Sequence, residues 1–193
     1  MLDNLNKYHI LLASNSPRRK ELLTGLGIDY EVRTLPDVDE SFPTELKGEE
    51  IPLYIARKKA EAYREVLLSN SLVITADTIV WLDGEMLGKP CDEADAVAML
   101  RKLSGKTHQV ITGVCLTTAD WQKIFSAVSE VKFTSLTDDE IDFYVHRFHP
   151  LDKAGSYGVQ EWIGFIGVES ISGSYFNVMG LPIQRLYQEL KKL

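Results

Sequence analysis

The chain has 193 residues, 45% of them hydrophobic and 25% charged, so it can bury a core and disorder is excluded as its general state. Its formal net charge of −7 excludes a general binder of nucleic acid or anionic membrane, since both need basic patches. A small anionic substrate stays open, because it needs only a local positive pocket. Cys91 and Cys115 fit neither a zinc pattern nor a small disulfide framework. No apolar run approaches the roughly 20 residues of a membrane span. Met1 to Lys7 is polar and lacks an apolar signal region, so a reducing, cytoplasmic setting is expected.

Tyr8 to Ala13 reads as a short buried strand. Ser16 then caps a helix that Pro17 opens and that runs to about Leu26, with Gly27 ending it. A second strand is expected over Tyr30 to Thr34, an acidic loop over Pro36 to Glu49, and a helix from about Pro52 to Leu68. Ser71 to Leu82 is a central strand, in one piece or broken. Asp83-Gly84 signals a two-residue hairpin with Glu85 to Leu87 as its return. Asp92 caps a helix to about Leu103, which Gly105 stops.

Thr107 to Thr118 and Lys123 to Phe133 read as a long antiparallel pair. Thr137 and Glu140 form a capping box for a helix to about Arg147. A Gly-rich stretch covers Gly155 to Val168, a strand is expected over Ile171 to Val178, and Pro182 opens a C-terminal helix. The order βαβαβ, then mostly antiparallel strands with scattered helices, makes the fold class α/β.

Local rules break at four places, and such breaks tend to mark function. A helix N-terminus favours acidic residues, yet Arg18, Arg19 and Lys20 fill this first turn, with the hydroxyls of Ser14 and Ser16 beside them. Clustered positive charge there suits phosphate groups better than a plain solvated helix start does. Lys59 has apolar helical neighbours at Ile55, Ala56, Ala62 and Tyr63, so it either snorkels to the rim or points at a buried anion. Asp77 interrupts an apolar strand that resumes at once. A carboxylate there is costly unless paired, metal-bound or facing a cleft.

The fourth is Lys89-Pro90. The hairpin sets Lys89 opposite Thr78, near Asp77 unless it is a plain exposed lysine. Several cations around carboxylates fit a polyphosphate with a divalent metal.

Other signals are weaker. Ser104-Gly105-Lys106-Thr107 looks like the end of a phosphate loop, but Leu100 stands where that loop needs glycine. His146 and His149 lack an evident third metal ligand, and Trp121 and Trp162 read as packing residues.

Leu12-Ala13-Ser14-Asn15-Ser16-Pro17-Arg18-Arg19 resembles the opening signature of the Maf family. Asp37-Val38-Asp39-Glu40, Ala56-Arg57-Lys58-Lys59-Ala60, Ala76-Asp77-Thr78, Gly88-Lys89-Pro90 and Ser104-Gly105-Lys106-Thr107-His108 follow in family order. Asp152 to Gln160, Gly173-Ser174-Tyr175 and Gly180-Leu181-Pro182 complete the match across nearly the whole chain.

The resemblance implies one domain of two lobes, an ITPase-like long mixed sheet flanked by helices, with the site in a central cleft. It implies a nucleoside triphosphate pyrophosphatase that needs magnesium or manganese and is usually a homodimer. Residue by residue, Asp77 matches the catalytic proton acceptor. Arg18, Thr78 and Gln160 match positions tied to substrate choice. Glu40, Lys59 and Lys89 match polar residues serving catalysis, metal or phosphates.

On this reading Ser14, Ser16, Arg18 and Arg19 bind substrate, and Asp77 and Glu40 hold the metal. Ala76-Asp77-Thr78 is similar to the branch acting on dTTP and UTP, whereas the 7-methyl-GTP branch usually carries Ser-Asp-Gln there. Glu161-Trp162 departs from that pyrimidine branch, which commonly has glycine after the glutamine. A competing class is a non-enzymatic, nucleotide-sensing regulator of septum formation.

Overall fold

The first apolar run forms β1 (His9–Leu12), which pairs in parallel with β2 (Glu31–Val32) and with β3 (Ser71–Leu82). The protein is described here by a computed structural model covering residues 2–36 and 38–193, so Asp37 of the acidic motif lies outside the described residues. β3 is a single strand. Asp83 and Gly84 take positive φ values of 52° and 89° and close the expected hairpin onto β4 (Glu85–Leu87), in the register Leu82 to Glu85 and Val80 to Leu87.

β5 (Thr107–Thr117), β6 (Gln122–Phe133) and β7 (Val168–Ser172) complete a mixed seven-stranded sheet of order β2-β1-β3-β5-β6-β7, with β4 on β3. Its helices are α1 (Pro17–Thr24), α2 (Glu50–Glu61), α3 (Glu93–Leu103), α4 (Asp138–Phe148), α5 (Trp162–Gly167), α6 (Tyr175–Val178) and α7 (Ile183–Leu190).

Helix starts follow their caps. Ser16, Asp92 and Thr137 each accept a bond from the backbone N–H three residues on, and Glu140 completes the box at α4. Three expectations need correction. The second helix begins at Glu50 and ends at Glu61, with a separate 3-10 turn at Arg64–Val66. The Gly-rich stretch contains the short helix α5.

The expected strand over Ile171 to Val178 stops at Ser172. Gly173 turns the chain at φ 117°, where a Cβ would lie 2.8 Å from Ser129 Oγ. Ser174 then caps α6. Asn177 is buried and donates to the Val110 carbonyl and Ser129 Oγ, both at 3.0 Å.

The chain divides into two compact units. One comprises Met1–Asp77, Thr112–Ala127 and Gly180–Leu193, the other Thr78–Ile111 and Val128–Met179. In the first, Leu11, Tyr63 and Val73 form a buried cluster with Ala13, Leu35 and Leu67 against it, and Ala56, Ala60 and Cys115 form another. α2 comes so close to β5 that a Cβ on Gly113 would sit 2.4 Å from the Pro52 carbonyl group. In the same unit the buried Glu189 of α7 binds Lys123, Arg185 at 3.0 Å and Lys192 at 3.1 Å. A hydrogen bond from Lys123 leads the causes that hold its carboxyl at about 2.

In the second unit His108, Phe133 and Tyr157 meet edge to face, with centroids 4.9–5.4 Å apart. His108 Nε2 hydrogen-bonds Tyr157 Oη at 2.7 Å, and the ring is 2% exposed. Burial pulls the imidazole from its ordinary 6.5 down to about 4. The folded protein therefore keeps His108 neutral over a range where the unfolded chain takes up a proton. Stability from this residue is complete above about pH 6.5 and lost as pH falls toward 4, a total of about 3 kcal/mol. Denaturant midpoints between pH 7 and 4 should fall less steeply in His108→Gln than in wild type. Parallel curves for the two proteins would refute this.

Candidate active site

The first unit assembles a candidate site from α1, the loop after β2, α2 and the middle of β3. The key local contact is Thr75 Oγ1, which donates to the Ala56 carbonyl at 2.7 Å and joins β3 to α2. Two residues on along the strand is Asp77, and three residues on along the helix is Lys59. Both steps keep the same face, so the Thr75 contact sets up the next one. Lys59 Nζ donates to Asp77 Oδ1 at 2.8 Å, with the two side chains only 14% and 13% exposed. Of the two fates the sequence left open for Lys59, it takes the anion.

A second carboxylate joins from the loop, with Glu40 Oε1 3.0 Å from the same ammonium. The neighbouring lysine holds the loop in place. Lys58 Nζ contacts Asp39 Oδ2 at 2.5 Å and both the carbonyl and hydroxyl of Ser41 at 2.9 Å. The hydrogen bond from Lys58, followed by those that the Ser41 N–H and hydroxyl donate to Asp39, brings the exposed Asp39 carboxyl down to about 2. Lys58 and Asp39 were not singled out in the sequence as site-forming. Their signal was an aspartate two residues before a serine, which closes an Asx turn through Ser41 N to Asp39 Oδ1 at 2.8 Å.

At the start of α1, Ser14 Oγ accepts from Ser16 N at 3.2 Å, and Ser16 Oγ accepts from Arg19 N at 3.4 Å. Arg19 bends into the protein. Its Nε donates to the Gly180 carbonyl at 2.8 Å, and its Nη1 to the Ala76 carbonyl at 2.9 Å and to Ser14 Oγ at 3.5 Å. Burial lowers the guanidinium pKa from its ordinary value, while the nearby Asp77 and Glu40 carboxylates oppose that shift. Arg19 thus clamps the peptide immediately before Asp77. Arg18, half-buried, stands beside it on α1.

Thr78, which follows Asp77 in β3, belongs with Lys89 and Gln160 to the second unit. Lys89 is exposed and lies past the end of the β3–β4 ladder, which stops at Leu87. The backbone leaves the ladder because the Gly88 carbonyl accepts from Gly155 N at 3.0 Å. Gln160 is half-buried.

The signals set aside stay outside the site. Lys106 pairs with Asp83 at 2.7 Å, as part of a helix stop rather than a phosphate loop. Between His146 and His149 stands Glu93, 3.7 and 2.8 Å away, a neighbour the sequence did not bring to them. Among the described residues no group of three or more His, Cys, Asp or Glu is placed to hold a metal ion. Nor is any helix among them long and apolar enough to cross a membrane.

The fold is shared with a HAM1 protein from Coxiella burnetii, with a TM-score of 0.51 over 96% of this chain and all of that one, at 15% identity. Residues 9–193 match the family model described as Maf-like protein, and the chain belongs to the Maf family. It is 69% identical to a dTTP/UTP pyrophosphatase of Bacteroides fragilis and 70% identical to one of Phocaeicola vulgatus, each over all of both chains. A dTTP/UTP pyrophosphatase of Porphyromonas gingivalis is 55% identical, covering 99% of this chain and 97% of that protein.

Proposed function

We propose that this protein hydrolyses dTTP and UTP to the monophosphate and pyrophosphate. The observation that carries the reading is the pair of carboxylates, Asp77 and Glu40, converging on Lys59 beside the arginines of α1. A protein that only sensed a nucleotide would have no need of a carboxylate kept at that cost in an apolar strand. The full-length relatives named for this activity support the same reading.

Two carboxylate oxygens already share one cationic nitrogen, so the donor set fits a hard divalent ion, magnesium or manganese. Asp77 and Glu40 would hold it, and when bound it supplies positive charge against the departing pyrophosphate. Lys59 donates to Oδ1 of Asp77, which keeps a second lone pair for the ion. We assign Oδ2 as the base that takes a proton from the attacking water.

The water oxygen forms the new bond to the α-phosphorus as the α–β bridging bond breaks, and the electron pair leaves with pyrophosphate. Arg18, Lys59 and Lys89 neutralise phosphate oxygens, with Ser14 and Ser16 hydroxyls as further donors. Arg19 contributes through the Ala76 carbonyl, keeping Asp77 in place. Thr78 and Gln160 are the proposed base-side contacts. A cytoplasmic homodimer completes the proposal.

Incubating the protein with UTP, dTTP, GTP or 7-methyl-GTP and magnesium or manganese tests it by product. Pyrophosphate from UTP and dTTP is expected. Orthophosphate as the sole product, or turnover confined to 7-methyl-GTP, would overturn it.

A further inference from the structure

The second unit contains a polar chain, buried at Lys153 and Tyr144, that none of the proposed chemistry uses. Lys153, 8% exposed, donates from Nζ to Asp152 Oδ1 at 2.7 Å and lies 3.1 Å from Glu161 Oε1. The other oxygen of Glu161 accepts a short hydrogen bond from the hydroxyl of Tyr144, a fully buried side chain of α4. That hydroxyl in turn accepts from the backbone N–H of Gly158 at 3.1 Å.

The backbone closes the same loop. Glu161 N donates to the Gly158 carbonyl at 3.0 Å, making a four-residue turn with Val159 and Gln160 at its centre. The turn has no slack. A Cβ on Gly158 would lie 2.7 Å from the Glu161 carboxyl carbon, and one on Gly164 would lie 1.9 Å from the Val159 carbonyl oxygen. Gln160 is thus mounted on a turn clamped at its first residue by Tyr144 and at its last by Glu161. Gln160 Oε1 is buried and has no hydrogen-bond partner within the protein.

We infer that Glu161 and Tyr144 are positioning residues that aim Gln160 at the pyrimidine ring, and that this clamp sets base selectivity. This inference rests on the proposed pyrophosphatase activity and on the proposed role of Gln160 as a base-side contact. A carbonyl oxygen presented from that turn would be complementary to the N3–H of uracil and thymine. It meets a lone pair at N3 of cytosine, so a site built this way rejects CTP. Glu161 holds the turn because its two oxygens serve different elements, Lys153 and Tyr144. A glycine there could hold neither.

The test compares kcat/KM for UTP, dTTP and CTP in wild type, Glu161→Ala, Glu161→Gln and Tyr144→Phe. Loss of the clamp should cut the UTP-to-CTP ratio by about tenfold in Glu161→Ala, with UTP losing chiefly in KM. Glu161→Gln, which keeps an acceptor for Tyr144, should recover part of the ratio. Tyr144→Phe removes one oxygen from a packed ring and decides the matter if Glu161→Ala does not fold.

Thr137→Ala weakens the cap of α4 without touching the turn and should leave the ratio unchanged. A folded Glu161→Ala or Tyr144→Phe with the wild-type ratio overturns the inference, as does an equal loss on all three substrates. Absence of pyrophosphate release by wild type would instead overturn the activity itself.

Discussion

Asp77→Asn is expected to lower the turnover of UTP on the order of 10³-fold while leaving nucleotide binding within a few-fold of wild type. The amide keeps the shape and an oxygen for Lys59 at the Oδ1 position, now 2.8 Å from Nζ. What it loses is the second carboxylate oxygen, and with it the proton acceptor. Pyrophosphate release gives the rate, and calorimetric titration with the nucleotide gives binding, both at one magnesium concentration. Wild-type turnover in this variant would end the assignment of Asp77 as base.

Lys59→Met should lower kcat/KM on the order of 10³-fold, by a different route. Lys59 Nζ lies 2.8 Å from Asp77 Oδ1 and 3.0 Å from Glu40 Oε1. Its loss leaves two neighbouring carboxylates to repel each other and the phosphates. With Asp77 13% exposed, removing its partner should also cost about 3 kcal/mol of stability.

Lys59→Arg should restore little activity, because a planar fork cannot take the place of a point charge shared by two oxygens from different elements. Lys58→Met is the control, since Lys58 reaches only Asp39 and Ser41 among these loop contacts. It should lower kcat/KM by less than about tenfold, through a looser loop. Equal losses in the Lys58 and Lys59 variants would mean that the Lys59 contacts are ordinary ion pairs.

Part of the candidate site was legible in the sequence where a residue broke a local rule. An aspartate inside an apolar strand and a lysine on an apolar helical face carry a desolvation cost, and only a partner offsets it. Partners themselves were harder to see. Glu40 sits in an acidic loop where every residue looks like solvated surface. Only the three-dimensional path of that loop, held by Lys58, places it on Lys59. Arg19 looked like a phosphate contact because it shares the first turn of α1 with Arg18, yet Gly180 and Ala76, both remote in sequence, draw its guanidinium inward.

From sequence alone came the α/β class, the capped helix starts, the Asp83-Gly84 hairpin and the candidates for the site. These rest on local physics: propensity, capping and hydrophobic period act within a few residues. The tertiary structure decided which oxygens share Lys59, that Asn177 belongs to a helix rather than a strand, and that Glu161 reaches Tyr144. Such pairings join residues distant along the chain. Hydrogen bonds and ion pairs of that kind depend on distances of about 3 Å, which no spacing in a sequence encodes.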